Sequence, residues 1–262
     1  MLQSAKTLMN YKLETLDGHI GKVQDFYFDD KYWALRYLVA NTGNYLSGRQ
    51  VLISPYNLTA VNNDKEHISI DLSKMEIEGS PSLNSDKPIS RQFEQEYYGY
   101  YDWPTYWTGS FMWGSSPDIV RDPGKRNEPT SADKQWNPHL RSTKDVSGRH
   151  VQARDGEIGH VQDFLIDDEV WAVRYLVVDT QNWWPGKKVL VSTKWIESVS
   201  WNKSKIFVDL SRDAIQRSPE YTNNSRPTRA YETDLHRHYD RQGYWSEESI
   251  ATVLTDSFSD IK

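Results

Sequence analysis

The chain has 262 residues, of which 37% are hydrophobic and 26% charged, and its 31 basic and 37 acidic side chains give a net charge of −6. This balance is typical of a folded globular protein, and no apolar stretch approaches the roughly 18 residues of a membrane span. Cysteine is absent, which excludes disulfides and thiolate chemistry in this sequence. The N-terminal residues lack the apolar segment of a signal peptide, so we expect a cytoplasmic protein.

An internal repeat determines the predicted architecture. A shift of 138 positions aligns residues 17–26 (DGHIGKVQDF) with residues 155–164 (DGEIGHVQDF) without a gap. The same shift pairs a glutamate, a tyrosine and a tryptophan further along the chain, namely Glu94 with Glu232, Tyr106 with Tyr244 and Trp107 with Trp245. A repeat of this length predicts two similar domains.

The repeat also sets the predicted domain boundaries. We expect a first unit with a C-terminal helical extension over residues 1–107 and a second unit of the same kind over residues 139–245. Residues 108–138 are rich in Ser, Pro, Gly, Asp and Asn, which predicts a linker. Residues 246–262 form a tail.

Within each unit, short apolar stretches bounded by turn residues predict about six strands. In the first copy the expected strands are 20–28, 33–41, 50–54, 58–61 and 68–72, and the last three have counterparts at 188–192, 196–199 and 206–210. A first hairpin is expected before them at the Asp-Gly step of each copy. Residues 89–100 and 227–238 predict helices, and Ser73 and Ser211 are expected helix N-caps. The predicted fold class is mainly β with short helices, in two small antiparallel six-stranded barrels related by duplication.

A four-residue turn at residues 29–32 predicts the register of the first long hairpin. In that register Phe28 faces Trp33, and Asp25 faces Arg36 on the opposite, exposed side of the sheet. The second copy repeats the charged pair, so we predict structural ion pairs Asp25–Arg36 and Asp163–Arg174. The aromatic face of the hairpin is the predicted core of each unit.

The motif order in both copies resembles that of the PRC-barrel family. The order is Asp-Gly-x-Ile-Gly-x-Val-x-Asp-Phe, Asp-Asp, Trp-Ala-x-Arg-Tyr-Leu-Val, Val-Leu-x-Ser, Asp-Leu-Ser and Ser-Pro, over residues 9–81 and 147–219. The family includes the cytoplasmic domain of the photosynthetic reaction-centre H subunit and the C-terminal domain of a ribosome-maturation factor. The resemblance implies a bacterial barrel protein without catalysis by the barrel itself, and no specific role transfers residue by residue.

No reaction centre is predicted. The carboxylates Asp25, Asp29 and Asp30, and their counterparts 138 positions later, could bind a hard cation, but Asp29 and Asp30 lie where a turn favours Asp. Glu232, His236 and His238 share a predicted helix, yet the two histidines are two positions apart and point to different sides. We therefore predict no catalytic residue, no metal and no cofactor.

Aromatic residues are the candidate interface. Nine of the 17 residues from Tyr97 to Trp113 are aromatic, and this segment could pack on a barrel, lie between the barrels or contact a partner. A hairpin tip in each copy also carries two neighbouring large side chains. The candidate interface residues are Tyr45, Leu46, Trp103, Trp107, Trp113, Trp183 and Trp184.

The leading functional hypothesis is a non-catalytic assembly or protein-interaction module. Its two barrels are expected to pack as a pseudo-dimer, and a homo-oligomer remains open. A protein partner is expected, whereas the acidic balance disfavours nucleic acid. Two alternatives remain: a support protein for a membrane-bound photosynthetic or electron-transfer complex, and a small-molecule binder or enzyme that uses a cleft between the barrels.

Overall fold

The computed structural model describes residues 1–43, 49–81, 83, 89–103, 105–107, 139–180, 187–222 and 226–246. The predicted linker and most of the predicted tail lie outside these residues. The described part consists mainly of β-strands with a few short helices, which confirms the general fold class expected from the sequence.

Both sequence copies contain the same elements in the same order. The first copy contains β1 (Leu2–Ser4), α1 (Ala5–Leu8), β2 (Lys12–Thr15), β3 (Gly18–Asp29), β4 (Ala34–Asn41), β5 (Gln50–Ile53), β6 (Leu58–Asn62), β7 (His67–Ile70), α2 (Lys74–Gly79) and α3 (Arg91–Tyr100). The second copy contains β8 (Leu140–Ser142), α4 (Thr143–Val146), β9 (His150–Ala153), β10 (Gly156–Asp167), β11 (Ala172–Asp179), β12 (Lys188–Ser192), β13 (Ile196–Ser200), β14 (Lys205–Val208), α5 (Arg212–Arg217) and α6 (Arg229–His238). Each element begins 138 positions after its counterpart, so the sequence repeat is also a repeat of structure.

Local sequence signals set where several elements begin. Gly18, with a φ of 120°, closes the hairpin between β2 and β3 at the predicted Asp-Gly step. Ser73 caps α2: its hydroxyl accepts from the N–H of Glu76, whose carboxylate accepts from the N–H of Ser73. Ser211 caps α5 by accepting from the N–H of Ala214. Both predicted N-caps are therefore confirmed.

The described residues divide into two compact units. Unit 1 consists of the described residues within Met1, Gln3–Asp145 and Asp167–Val173. Unit 2 consists of the described residues within Leu2, Val146–Ile166 and Arg174–Lys262. Unit 1 thus includes residues 139–145 and 167–173 of the second sequence copy. The domain boundaries expected from the sequence stay predictions.

Unit 1 contains a large mixed sheet. The strands of this sheet follow the order β11–β4–β3–β2–β7–β6, and only the first residues of β11 belong to unit 1. In addition, β5 pairs with β4 and β8 pairs with β3. Most neighbours are antiparallel, but β2 and β7 run parallel, with Leu13 next to Ile68. The expectation of a purely antiparallel sheet is therefore wrong, because β3–β6 separate these two strands along the chain and allow a crossover.

Unit 2 repeats this arrangement. Its strands follow the order β13–β14–β9–β10–β11, with β12 paired to β11. Strands β9 and β14 are again parallel, with Val151 next to Ile206. The crossover is thus a property of the repeated fold.

The two closed six-stranded barrels expected from the sequence are not confirmed. Closure of the first set would need β5 to pair with β6, and no such pair occurs among the described residues. A 3₁₀ turn at Pro55–Asn57 separates these strands. Proline has no N–H to donate, so this corner favours a change of direction over continued pairing.

The predicted register of the β3–β4 hairpin is wrong. Phe28 lies opposite Leu35 instead of Trp33, and Asp25 lies opposite Val39 instead of Arg36. Trp33 closes the turn with a φ of 57°, so that Asp29 pairs with Ala34. The pairing then skips Arg36 of β4 and, further along, Gln24 of β3.

The core residues expected on the aromatic face of the hairpin are all buried. They are Phe26, Phe28, Trp33, Leu35, Tyr37 and Val39, with Phe164, Ile166, Trp171, Val173, Tyr175 and Val177 in the second copy. The other face of the hairpin was expected in solvent, and that expectation is wrong. Asp25 and Arg36 are only 2% and 3% exposed, so the hairpin is buried on both faces. In unit 1, β8 runs along β3 and places Ser142 opposite Tyr27.

Candidate functional site

A buried carboxylate lies at the centre of a polar cluster in unit 1. Glu94 Oε1 accepts hydrogen bonds from the hydroxyls of Tyr37 at 2.9 Å and Tyr106 at 2.6 Å. Its Oε2 lies 3.0 Å from Nη1 of Arg91. Burial and the neighbouring carboxylate raise the pKa of Tyr37 well above its ordinary value, so this hydroxyl stays a donor. The cluster ties α3 to β4.

An arginine packs beside this cluster. The guanidinium of Arg36 lies 4.1 Å from the centre of the Tyr106 ring, and its Nη2 lies 3.6 Å from Asp29 Oδ2. Its Nε and Nη1 are buried without a hydrogen-bond partner among the described residues. Contact with an aromatic face stabilises such a cation where water is excluded. The predicted ion pair with Asp25 is thus replaced by a ring contact and by Asp29.

The second copy contains the same cluster in unit 2. Glu232 Oε1 accepts from the hydroxyls of Tyr175 at 3.0 Å and Tyr244 at 2.9 Å, and its Oε2 lies 3.1 Å from Nη1 of Arg229. The guanidinium of Arg174 lies 4.0 Å from the centre of the Tyr244 ring. The predicted pairing of Arg174 with Asp163 stays a prediction.

One residue distinguishes the two clusters. His236 occupies the position of Tyr98, and its Nε2 lies 2.9 Å from the Tyr175 hydroxyl. Its Nδ1 lies 2.9 Å from the carbonyl oxygen of Gln242, which can only accept, so Nδ1 carries the proton of the neutral ring. Nε2 is then an acceptor that competes with Glu232 for the single proton of the Tyr175 hydroxyl. Burial against Trp195, 5.0 Å away between ring centres, lowers the pKa of His236 below its ordinary value.

An exposed group of aromatic rings extends from the end of α3. Trp103 stacks on Tyr101 with ring centres 4.2 Å apart, and Tyr56 lies 5.7 Å from Trp103. Tyr100 contacts Tyr101 at 4.7 Å. Tyr56 and Tyr100 are 42% and 43% exposed, while the other two rings are half-buried. We call these four residues the aromatic patch.

Two of the seven candidate interface residues lie in the described part of the chain. Trp103 belongs to the aromatic patch, and Trp107 packs on Tyr98 at 5.3 Å with the Arg91 guanidinium 4.3 Å from its ring. Both tryptophans are half-buried within unit 1. The other five, Tyr45, Leu46, Trp113, Trp183 and Trp184, lie outside the described residues.

The first carboxylate group serves the fold of unit 1. Asp25 Oδ2 accepts from Ser142 Oγ at 2.5 Å, and Asp25 Oδ1 accepts from Thr143 Oγ1 at 2.8 Å. Asp29 accepts from two backbone N–H groups of its own turn. Asp30 accepts from Arg141 Nε at 3.0 Å. These carboxylates are thus held by protein donors.

The later carboxylates and histidines are also engaged within the fold. Asp168 accepts from Gln3 Nε2 at 2.6 Å and from the amino group of Met1, while Asp167 accepts from a backbone N–H of its turn. His238 Nε2 lies 2.7 Å from the carbonyl oxygen of Ala214. Among the described residues, no three His, Cys, Asp or Glu side chains are grouped so that they could hold a metal ion.

The sequence contained an unused signal for the buried clusters. The 138-residue repeat pairs Glu94 with Glu232 and Tyr106 with Tyr244 outside the strand region. A glutamate that recurs on a predicted helix, with a tyrosine at the same distance after it in both copies, indicates a buried contact instead of a solvent-exposed helix face. Glu94, Glu232, Tyr106 and Tyr244 were not among the predicted core residues.

Fold and clusters together show the same order of strands and helices in both sequence copies, with a buried glutamate holding α3 in the first and α6 in the second. Residues 139–215 match the family model of the PRC-barrel domain. No curated protein matches the chain. Among the helices of the described residues, none has the length and apolar character needed to cross a bilayer.

Proposed function

We propose that both sequence copies are PRC-barrel domains and that the chain is a non-catalytic protein-interaction module. The family match over residues 139–215 supports this assignment for the second copy. For the first copy, the support is the one-to-one correspondence of strands and helices and the shared cluster around Glu94 and Glu232. We keep the cytoplasmic location as part of this proposal.

The aromatic patch is the observation that carries the interaction role. Three of its rings, the exposed Tyr56 and Tyr100 and the half-buried Trp103, are specific to the first copy, because their counterparts are Lys194, His238 and Arg241. The strands and helices that carry these positions are the same in both copies, so the fold does not require aromatic residues there. Tyrosine and tryptophan are over-represented among the residues that dominate protein–protein binding. The patch therefore favours a partner protein with an apolar surface.

The test is affinity purification with the full-length chain immobilised, from extracts of the source cells. The wild type is compared with a triple variant, Tyr56→Lys, Tyr100→His and Trp103→Arg, which carries the residues of the second copy. We expect proteins retained by the wild type to be lost from the variant, because its cationic side chains cannot replace the apolar contact. Lys194→Ala is the matched control at an exposed position of the second copy.

Two outcomes would contradict the proposal. One is retention of the same proteins by wild type and triple variant, with circular dichroism confirming that both are folded. The other is a wild-type chain that retains nothing above the empty matrix. The identity of the retained protein separates a general assembly role from support of a membrane-bound electron-transfer complex.

A further inference from the structure

An open cavity of about 940 Å³ lies within unit 1, next to the start of β3 and the end of β4. The floor includes Gly21, which closely approaches the backbone of Asn41. Metabolite-binding pockets commonly measure about 300–1,000 Å³, so the space fits a small molecule. The cavity is separate from the aromatic patch and from the Glu94 cluster.

The charged side chains around this cavity are of one sign. Lys6, Lys22 and Lys144 line it together with His19, and no carboxylate is among the lining residues in the described part of the chain. Two carboxylates lie near lining residues: Asp25 Oδ1 accepts from the backbone N–H of Lys144 at 3.4 Å, and Glu14 Oε1 lies 3.8 Å from Nδ1 of His19. Three lysines among the lining residues stand out in a protein whose net charge is −6. Such a lining attracts a ligand that carries several negative charges.

The second copy shows that the frame of the repeat does not impose this charge. The counterparts of His19, Lys22 and Asn41 are Glu157, His160 and Asp179. The backbone is the same in both places: an added Cβ at Gly21 or at Gly159 would lie 2.0 Å from the facing carbonyl oxygen. Lys6 and Lys144 are counterparts of each other, so the two copies differ in charge at positions 19, 22 and 41 only. At these positions the second copy has two carboxylates and a histidine, which indicates that the positive charge of His19 and Lys22 is not required by the fold.

We propose that this cavity binds a small polyanion of the di- or triphosphate type. Lysine ammonium groups bind phosphate oxygens as point charges through charge-assisted hydrogen bonds. Three of them match a chain of two or three phosphate groups better than a single carboxylate. The site is independent of the proposed protein partner, since no residue of the aromatic patch lines it.

Titration calorimetry of the full-length protein with inorganic tripolyphosphate tests this site. We expect binding that weakens as salt is added, because exposed charges are screened. Lys22→Glu should weaken it by about tenfold or more, since a charge-assisted contact becomes a repulsion. Lys22→His, which installs the residue of the second copy, gives a milder version of the same loss. Lys65→Glu, in an exposed turn away from the cavity, should leave the affinity within about twofold.

Citrate and lipid vesicles distinguish the source of the charge. Weaker binding of citrate than of tripolyphosphate supports the phosphate assignment, while equal affinity overturns it. Vesicles containing phosphatidylglycerol test a membrane headgroup, and vesicle binding that tripolyphosphate does not displace also overturns the proposal. The same holds for a wild type that binds no tripolyphosphate, or for equal losses in Lys22→Glu and Lys65→Glu proteins that melt at the wild-type temperature.

Discussion

The two sequence copies share their interior and differ on their surfaces. Inside, each holds a glutamate between two tyrosine hydroxyls and an arginine, Glu94 in the first and Glu232 in the second. Outside, the aromatic patch occurs on the first copy, where the second copy has Lys194, His238 and Arg241. The lysine-lined cavity combines Lys6 and Lys22 of the first copy with Lys144 of the second. The contrast teaches that the frame depends on the cluster, whereas the surfaces could change without loss of the fold. We therefore assign the specific functions to the surfaces.

The largest predicted effect comes from removing the shared glutamate. Glu94→Ala leaves the hydroxyls of Tyr37 and Tyr106 and the Arg91 guanidinium without their acceptor. Loss of one partner from a buried charged network costs about 3–5 kcal/mol. Urea unfolding followed by tryptophan fluorescence measures the change. Glu232→Ala should have a similar effect. A decrease of less than about 1 kcal/mol in the free energy of unfolding of either variant would contradict the shared role of the two glutamates.

A glycine repeated in both copies gives the next largest effect. Gly21 has a φ of 142°, and an added Cβ would lie 2.0 Å from the carbonyl oxygen of Asn41. Gly21→Ala should therefore lower the free energy of unfolding by about 2 kcal/mol or more, as should Gly159→Ala. Gly99→Ala is the control, since its Cβ meets no atom within 4 Å in a helix that alanine favours. Thermal melts should show loss for the first two variants and none for the third.

The carboxylate of Asp25 gives a smaller effect, confined to unit 1. Asp25→Ala leaves the hydroxyls of Ser142 and Thr143 without their acceptor and should cost about 1–3 kcal/mol in urea unfolding. Asp64→Ala, in an exposed turn, should change stability by less than about 0.5 kcal/mol. Equal effects of the two substitutions would show that the segment carrying Ser142 and Thr143 is not held on β3.

The smallest effect is a pH dependence specific to the second copy. Burial lowers the pKa of His236 in the folded state below its ordinary value of 6.5. The unfolded chain therefore binds more protons just below pH 6.5, and the free energy of unfolding falls as the pH decreases through that range. His236→Tyr, which installs the residue found at position 98, should flatten this part of the curve. Identical pH profiles for variant and wild type would contradict this role for His236.

Strand positions were predictable because local pattern sets them. The expected strand over residues 188–192 has these bounds in the structure, and the strand expected at 33–41 begins one residue later. Register was not predictable, since it depends on one irregularity each in β3 and β4 and on the left-handed conformation of Trp33. A tryptophan rarely adopts that conformation, and its residue type gives no warning of it.

The candidate sites were less predictable than the strands. Trp103 was expected at an interface from its neighbours in sequence. It is half-buried within the aromatic patch, and its role at an interface stays a prediction. The cavity could not be foreseen, because Lys6, Lys22 and Lys144 are brought together by the pairing of distant segments. A lysine every few residues is ordinary composition, and only the fold places these three around one space.

Hydrogen exchange in the full-length chain, measured by mass spectrometry, tests most directly whether the buried glutamate of each copy holds the helix of that copy. The peptides to follow are those of α3 (Arg91–Tyr100) and α6 (Arg229–His238). We predict that Glu94→Ala speeds exchange in the first helix and leaves the second unchanged, and that Glu232→Ala does the reverse. Unchanged exchange in both helices, or the same change in both from either substitution, would contradict the account.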